Sequence, residues 1–219
     1  MYKRRSLFVT FEGIEGSGKS FQCRKLYENI KRKKIPTILT REPGGTPGAE
    51  RIRKVILEDY FHKNLKEKFD KYTDTLLYLA ARNEHISHVI KPSLVRNKIV
   101  ICDRFVDSTV AYQVFGKKVD INFVNFIHRY ILQDIKPDLT FILKINITKA
   151  LKRLKKRKNK NRYDIFSKKF YINVQKAFIK IAKKNTSRYF IIDNSKDNAD
   201  AEKIILNQVL KKLKIQNRK

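Results

Sequence analysis

The segment at positions 13–20, GIEGSGKS, has the spacing G-x-x-x-x-G-K-[ST]. Glycines at this spacing let backbone N–H groups surround the phosphates of a nucleotide, because no Cβ atom stands in the way. The lysine then contacts the β- and γ-phosphates, and the hydroxyl that follows it binds Mg²⁺. The pattern predicts a phosphate-binding loop (P-loop) made of Gly13, Ile14, Glu15, Gly16, Ser17, Gly18, Lys19 and Ser20. We expect Lys19 to be catalytic and Ser20 to be a metal ligand.

A second metal-binding group is expected at the end of another strand. The run KIVICD at 98–103 ends four apolar residues with Asp103. A carboxylate in this place can hold Mg²⁺ through a water molecule. A strand that ends in aspartate is common, and its pairing with the P-loop is what indicates a magnesium site.

These groups must be positioned by a sheet and by helices. Short apolar runs, rich in β-branched and aromatic residues and bounded by polar turns, predict strands at 6–12, 35–40, 98–103, 138–145 and 188–193. Apolar residues at three- and four-residue spacing predict helices at about 19–32, 48–58, 67–95, 120–133, 147–157, 166–184 and 198–214. We expect Pro92 to kink or end the helix that contains it.

Alternating strands and helices favour an α/β fold, in which a five-stranded parallel sheet is covered by helices on both faces. This is the three-layer sandwich of P-loop NTPases. The 219 residues are expected to form a single domain, 1–219, since no Pro-, Gly- or Ser-rich linker divides them. Ligands of such sheets bind beyond the carboxyl ends of the strands, where the P-loop and Asp103 are expected.

The formal net charge of +30 has two interpretations. It is typical of proteins that bind polyanions, and it is also what a lysine-rich coding composition produces on solvated faces. We favour coding composition as the explanation of the charge, and we expect no specific nucleic-acid partner. No stretch reaches the roughly 20 apolar residues of a membrane span, so no membrane partner is expected either. The cysteines at positions 23 and 102 form no paired motif, which favours reduced thiols and a cytoplasmic location.

The P-loop does not reveal which molecule receives the phosphate. The guanine-reading pattern N-K-x-D is absent, because the nearest matches, NKIV at 97–100 and NKNR at 159–162, lack the acid. Helicases and transporter ATPases are usually longer and carry further motifs. Kinases of nucleotides and related metabolites are the remaining class of small P-loop proteins.

Several further segments resemble one family, the thymidylate (dTMP) kinases of the bacterial type. The resemblance covers residues 6–193 and is carried, in the family's order and spacing, by FEGIEGSGKS (11–20), TREPGGT (40–46), LLYLAAR (76–82), DRFVDSTVAYQ (103–113), PDLTFILKI (137–145) and an arginine-bearing segment that ends in NRYD (161–164). It implies an ATP:dTMP phosphotransferase that uses Mg²⁺ and makes dTDP by direct in-line transfer. It also implies a homodimer.

The resemblance assigns the acceptor's phosphate to Arg41 and Arg104, and Arg104 is also expected to be catalytic. Both arginines follow predicted strands, where two guanidinium groups can clamp a phosphate by paired hydrogen bonds. Glu15 matches the acid that binds the acceptor's 3′-hydroxyl. The segment with Ser108, Thr109, Tyr112 and Gln113 matches the part that contacts sugar and base, and Tyr112 resembles the residue that excludes ribonucleotides.

The same comparison gives Tyr78 the position that stacks on thymine, and Arg82 the hydrogen bonds to the edge of the base. One helical turn separates these two residues, so they share a face. Relatives often have Phe where this chain has Tyr78, whose hydroxyl group needs a partner. Without the resemblance, LLYLAAR would be interpreted as a helical segment whose apolar residues pack in the core and whose last residue is a surface arginine.

The basic segment at about 153–165 resembles the family's lid. Gly16 rather than a basic residue follows Glu15, which is typical of the subtype that carries its catalytic arginine in the lid. The candidates are Arg153, Arg157 and Arg162, of which we favour Arg162 as the group that stabilises the transferring phosphoryl group. Where the family usually has DRxE, this chain has NRYD. Where relatives often have an arginine in the next helix, this chain has Gln175.

Two alternatives to dTMP phosphorylation stay open at this point. Another monophosphate, such as dUMP, UMP or dGMP, could be the acceptor, because a single methyl group contributes only about 1–3 kcal/mol of discrimination. A basic nucleic-acid-binding ATPase is the alternative from another class, and the +30 charge is the one feature that supports it.

Overall fold

The computed structural model describes residues 6–58, 68–156, 162–195 and 200–217. Its sheet contains the five predicted strands, all parallel, in the order β2-β3-β1-β4-β5. The strands are β1 (Leu7–Glu12), β2 (Thr37–Arg41), β3 (Ile99–Asp103), β4 (Leu139–Lys144) and β5 (Tyr189–Asp193). The α/β class predicted from the sequence is confirmed.

Helices connect the strands. They are α1 (Lys19–Arg32), α2 (Pro47–Glu58), α3 (Lys71–His85), α4 (Lys91–Val95), α5 (Val106–Thr109), α6 (Ile121–Leu132), α7 (Ile147–Lys155), α8 (Lys168–Lys183) and α9 (Asp200–Asn217). Two π-helical segments, Ile86–Ile90 and Val110–Gly116, continue α3 and α5, and a 3₁₀ turn spans Arg162–Ile165. Helices on both faces of the sheet pack their apolar residues against it and form the two outer layers of the fold.

The alternation of side chains along β1 shows how both faces of the sheet are filled. Leu7, Val9 and Phe11 pack on the face covered by α1 and α9, with Leu26 among their partners. Phe8 lies on the opposite face, in a cluster with residues of the π-helical segment 86–90. Successive side chains of a strand point to opposite faces, so a fully buried strand such as β1 reads as a continuous apolar run.

The register of the sheet brings the predicted site groups to one edge. Phe11 of β1 pairs with Asp103 of β3, and Asp103 pairs in turn with Arg41 of β2. The ends of these three strands, together with the P-loop that follows β1, therefore meet at the carboxyl edge, as expected.

One detail of the helices differs from the sequence-based predictions. The helical run at 106–116 was not predicted, because its four-residue α-helical start and its π-helical continuation lack the regular 3.6-residue spacing. The helical run that contains Pro92 ends at Val95, where the predicted helix at 67–95 also ends. The π-helical segment Ile86–Ile90 directly precedes the α-helical turn with Pro92.

Within the part of the chain that the structure describes, the helices are all too short or too polar to cross a membrane.

Candidate active site

A cavity of about 530 Å³ opens at the carboxyl edge of the sheet. Most of the residues predicted from the sequence contribute to its walls. These are Glu15, Gly16, Gly18, Lys19, Ser20, Arg41, Tyr78, Arg82, Asp103, Arg104, Ser108, Thr109, Tyr112 and Gln113. The residues predicted to bind the triphosphate and those predicted to bind the acceptor thus share one cavity. Gly13, Ile14 and Ser17 are not among its lining residues, and Ile14 and Ser17 are buried.

The P-loop is held in a conformation that requires glycine. Gly13 has a φ of +140°, and a Cβ atom there would lie 2.6 Å from the carbonyl oxygen of Leu143. Gly18 has a φ of +91° and directly precedes α1. The side chain of Asn194 donates to the carbonyl oxygen of Ser17 at 2.7 Å, which helps to hold the loop in place. Because Lys19 and Ser20 begin α1 and line the cavity, the positive end of the α1 dipole faces the cavity.

Lys19 is buried at the start of α1, and its ammonium group donates to the carbonyl oxygen of Ile14 at 2.8 Å. Burial, and next the positive charge of Arg104, lower the pKa of Lys19 to about 8. A phosphate chain in the loop would offset both effects, because it places negative charge beside the ammonium group.

Ser20 and Asp103, the two residues predicted to bind a metal, contact each other. The Ser20 hydroxyl donates to Oδ2 of Asp103 at 2.5 Å. Oδ1 of Asp103 is buried and has no hydrogen-bond partner among the described residues. An unsatisfied carboxylate oxygen beside a hydroxyl group fits Mg²⁺, which prefers oxygen ligands. The described residues contain no cluster of three or more His, Cys, Asp or Glu side chains suited to a metal, so phosphate and water oxygens would complete the coordination.

Arg104 links the P-loop to the acceptor side of the cavity. Its guanidinium group donates to the carbonyl oxygen of Gly13 at 3.1 Å, to Oγ of Ser108 at 3.0 Å and to Glu15 at 2.6 Å. The same group lies 5.1 Å from the centre of the Tyr112 ring. Burial opposes the charge of Arg104, but the Glu15 carboxylate raises its pKa above the ordinary value.

The Glu15 carboxylate also accepts a hydrogen bond from the hydroxyl group of Tyr112. Glu15, Arg104 and Tyr112, which the sequence predicted separately, therefore form one connected group. Burial and the neighbouring carboxylate together raise the pKa of Tyr112 far above its usual range, so this phenol stays protonated and serves as a donor.

Arg41 differs from Arg104 in its environment. Its side chain is 56% exposed and forms an ion pair with Glu50 at 3.1 Å. Glu50 in turn accepts from the backbone N–H of Gly45 at 3.0 Å. Arg41 lines the cavity from β2 while Arg104 lines it from the end of β3, so two guanidinium groups do face the same space.

Tyr78 and Arg82 share a face of α3, as their spacing predicts, and both line the cavity. Each guanidinium nitrogen of Arg82 donates to a protein atom. Nε donates to Glu42 at 2.7 Å, Nη1 to Thr109 at 2.8 Å and Nη2 to the carbonyl oxygen of Phe105 at 2.9 Å. The buried side chain of Arg82 therefore links α3 to the end of β2 and to the helical run at 106–116, and it also lines the cavity.

Gln113 and Thr109 lie one helical turn apart on that run, and both are buried. Nε2 of Gln113 has no hydrogen-bond partner among the described residues, although the side chain lines the cavity. A buried amide donor without a partner is costly, which favours a ligand acceptor at this point. Ser108, in contrast, donates to Glu12 at 2.5 Å while accepting from Arg104.

The predicted lid is described only in part, since 157–161, with Arg157, lie outside the described residues. Nη1 of Arg153 donates to the carbonyl oxygen of Gly16 at 2.9 Å, which places this arginine at the P-loop. Arg162 is fully buried, forms an ion pair with Asp74 and is not among the lining residues of the cavity. The position of Arg162 in this structure is thus not the phosphate-facing one that we expected. The amide of Gln175 pairs with both backbone groups of Ile145 at 3.0 Å.

Two buried acids beside the site were not singled out by sequence reasoning. Glu42, joined to Pro43 by a cis peptide bond, accepts from Arg82 at 2.7 Å and pairs with His85 at 3.1 Å. Its position after the second strand, inside TREPGGT, was a signal that could have identified it. Glu12 is fully buried, and burial together with the Asp107 carboxylate raises its pKa to about 8. The apolar run around Glu12 in the sequence does not indicate that the pKa of this residue is raised.

Comparisons with known proteins agree on one family. The family model described as thymidylate kinase matches residues 11–205. A thymidylate kinase of Mycoplasma capricolum is 37% identical over 210 residues, covering 95% of this chain and 96% of that protein. A thymidylate kinase of Afipia carboxidovorans is 40% identical over 198 residues, covering 89% and 85%. The crystal structure of the Ehrlichia chaffeensis thymidylate kinase superposes with a TM-score of 0.72 at 34% identity, covering 95% of this chain and 99% of that one.

Proposed function

This chain belongs to the thymidylate kinase family, and from that premise we propose that it transfers the γ-phosphoryl group of ATP to dTMP, forming dTDP and ADP. The observation that carries the proposal is the shared cavity. Lys19 and Asp103 line it on the triphosphate side, and Tyr78 and Gln113 line it on the other. Two nucleotides bound end to end in such a cavity would bring the two reacting phosphates together.

On the donor side, the P-loop amides and Lys19 hold the β- and γ-phosphates. Ser20 and Asp103 would hold Mg²⁺. Held there, the ion would supply positive charge against the negative charge that develops on the phosphates. The buried and unsatisfied Oδ1 of Asp103 supports this assignment.

On the acceptor side, Arg41 and Arg104 clamp the dTMP phosphate, and Glu15 accepts from the 3′-hydroxyl of the sugar. Tyr112 packs at the 2′ position. Tyr78 stacks on the thymine ring, while Gln113 and Thr109 contact its edge. The donors of Arg82 bind protein atoms, so we assign Arg82 mainly the task of holding Thr109 and Glu42 in place.

Phosphoryl transfer between two bound nucleotides needs positioning and charge neutralisation, and it needs no covalent intermediate on the protein. A phosphate oxygen of dTMP attacks the γ-phosphorus directly. Lys19 and Arg104 neutralise charge on either side of the transferring group. Among the described arginines of the basic segment, Arg153 is the one that we assign to the donor phosphates, because it already contacts Gly16.

We also propose that the protein is a homodimer. Large apolar side chains are exposed on two neighbouring helices, namely Leu76 of α3 and Phe126 and Tyr130 of α6, with exposed fractions of 46%, 56% and 66%. Large exposed apolar side chains on neighbouring helices are typical of protein interfaces. The two cysteines are buried free thiols, which is consistent with the reducing cytoplasm as the proposed location.

A coupled assay of ADP formation tests the proposed function. The wild-type protein is supplied with ATP, Mg²⁺ and one monophosphate at a time: dTMP, dUMP, UMP or dGMP. We expect the highest kcat/KM with dTMP. A second arm omits the monophosphates and adds single-stranded DNA. ADP formation that depends on the DNA, or a higher kcat/KM for another monophosphate, would contradict the proposal.

A further inference from the structure

A fully buried carboxylate on α3, Asp74, meets two cationic side chains. Its Oδ2 accepts from the ammonium group of Lys117 at 2.7 Å, and its Oδ1 forms an ion pair with the guanidinium group of Arg162. The side chains of Asp74 and Arg162 are both 0% exposed. Because removing charges from water is costly, such a pair persists only where packing and further hydrogen bonds fix its geometry.

Arg162 also contacts Tyr78, which lines the cavity, although Arg162 itself does not line it. Its Nη2 donates to the hydroxyl group of Tyr78 at 3.0 Å, and its guanidinium carbon lies 5.5 Å from the centre of the Tyr78 ring. This contact supplies the hydroxyl of Tyr78 with a partner. A phenylalanine in the same place would stack on a base equally well but could not accept this hydrogen bond.

The neighbour of Arg162 completes the arrangement. Tyr163 lines the cavity, and its ring stands edge-on to that of Tyr112 at 5.5 Å. The guanidinium group of Arg162 lies 5.3 Å from the Tyr163 ring as well. One buried arginine therefore contacts two cavity-lining tyrosines, Tyr78 from α3 and Tyr163 from the 3₁₀ turn, while Asp74 anchors it.

We propose that Arg162, anchored by Asp74, is a positioning residue that holds Tyr78 and Tyr163 as the wall against which the nucleoside of the acceptor binds. This inference rests on the proposed function. In this role Arg162 acts on the binding of the monophosphate and not on the transferring phosphoryl group. Arg153, which contacts the P-loop, provides the contrast, since its loss should affect the donor nucleotide.

Steady-state kinetics of Arg162→Met and Arg153→Met separate the two roles. For Arg162→Met we expect the KM for dTMP to rise about tenfold or more, with kcat and the KM for ATP changing less than about threefold. For Arg153→Met we expect the KM for ATP or kcat to change and the KM for dTMP to stay near the wild-type value. A large loss of kcat in Arg162→Met with an unchanged KM for dTMP would overturn the inference.

A milder variant guards against loss of folding in Arg162→Met. Tyr78→Phe keeps the ring and removes only the hydroxyl group, so it deletes one buried hydrogen bond and should raise the KM for dTMP about three- to tenfold. Since both changes act through the same contact, Tyr78→Phe combined with Arg162→Met should be no worse than Arg162→Met alone. If wild-type protein phosphorylates dTMP but the two effects on kcat/KM multiply, the inference fails while the proposed function stands.

Discussion

Arg104 donates to Glu15 across 2.6 Å, and the same guanidinium group contacts the first glycine of the P-loop. This pair joins the donor half of the cavity to the acceptor half. In the function that we propose, a monophosphate bound to Arg104 would share the guanidinium group with Glu15, and the remaining lone pairs of Glu15 would accept from a sugar hydroxyl. Arg104 would then couple the donor and acceptor sites.

The first prediction concerns that arginine. In Arg104→Lys the fixed fork of donors is replaced by a point charge, so contacts to Gly13, Ser108 and Glu15 cannot all be kept. We expect kcat/KM for dTMP to fall about a hundredfold. Arg41→Lys is the matched control, since its side chain is exposed, and it should lose less. Steady-state assays of both variants measure these changes in kcat/KM. A greater loss of kcat/KM in Arg41→Lys than in Arg104→Lys would contradict the prediction.

The second prediction concerns the pH dependence of nucleotide binding. The pKa of Lys19 is about 8 in the free protein, and bound phosphates should raise it. Above pH 8 nucleotide binding should therefore take up a proton, and affinity should fall by up to about tenfold per pH unit. Calorimetric titration with ADP at pH 8.5, in buffers of different ionisation enthalpy, measures this uptake. In Lys19→Met the uptake should be absent; an unchanged uptake would exclude Lys19 as its source.

The third prediction concerns stability. Glu12 has a pKa of about 8 in the folded protein, against 4.5 for an ordinary glutamate. Folding therefore binds a proton between these two values, and the stabilisation is complete below pH 4.5 and is lost as the pH rises through about 8. The free energy of unfolding should fall by at most about 1.4 kcal/mol per pH unit in this window.

Urea unfolding of wild-type protein and of Glu12→Gln, at pH values from 5 to 8, checks that prediction. The amide cannot titrate, so the stability of the variant should depend less on pH than that of the wild type. Parallel pH profiles for the two proteins would show that the pKa of Glu12 is not raised.

The fourth prediction concerns the proposed dimer. Phe126→Glu introduces a charge into the exposed apolar surface of α6 and should yield monomers in sedimentation velocity measurements. Val95→Glu is the control, because Val95 is 75% exposed at the end of α4 and lies on another helix. We expect it to leave the dimer intact. A wild-type protein that sediments as a monomer would contradict the proposed interface.

The sheet and the donor side of the cavity were predictable from the sequence because their signals are local. Each strand is a short apolar run bounded by turns, and the P-loop pattern encodes its own geometry. The position of Asp103 followed from a strand ending next to that loop. In parallel sheets the carboxyl ends of strands meet at one edge, so these groups had to converge.

Long-range partners, in contrast, leave no local signal. The environment of Arg162 depends on Asp74, 88 positions earlier in the chain, and spacing cannot reveal such a pair. The helical run at 106–116 escaped prediction because its π-helical part breaks the regular spacing. The raised pKa of Glu12 depends on burial and on Asp107, which only the fold brings close.

A crystal structure of the protein with dTMP, ADP and Mg²⁺ tests the central claim most directly. We expect the thymine ring to lie against Tyr78 with its edge at Gln113, the dTMP phosphate to lie between Arg41 and Arg104, and the ADP phosphates to lie in the P-loop beside Ser20. A dTMP molecule bound outside the cavity, with these side chains still contacting only protein, would contradict the claim.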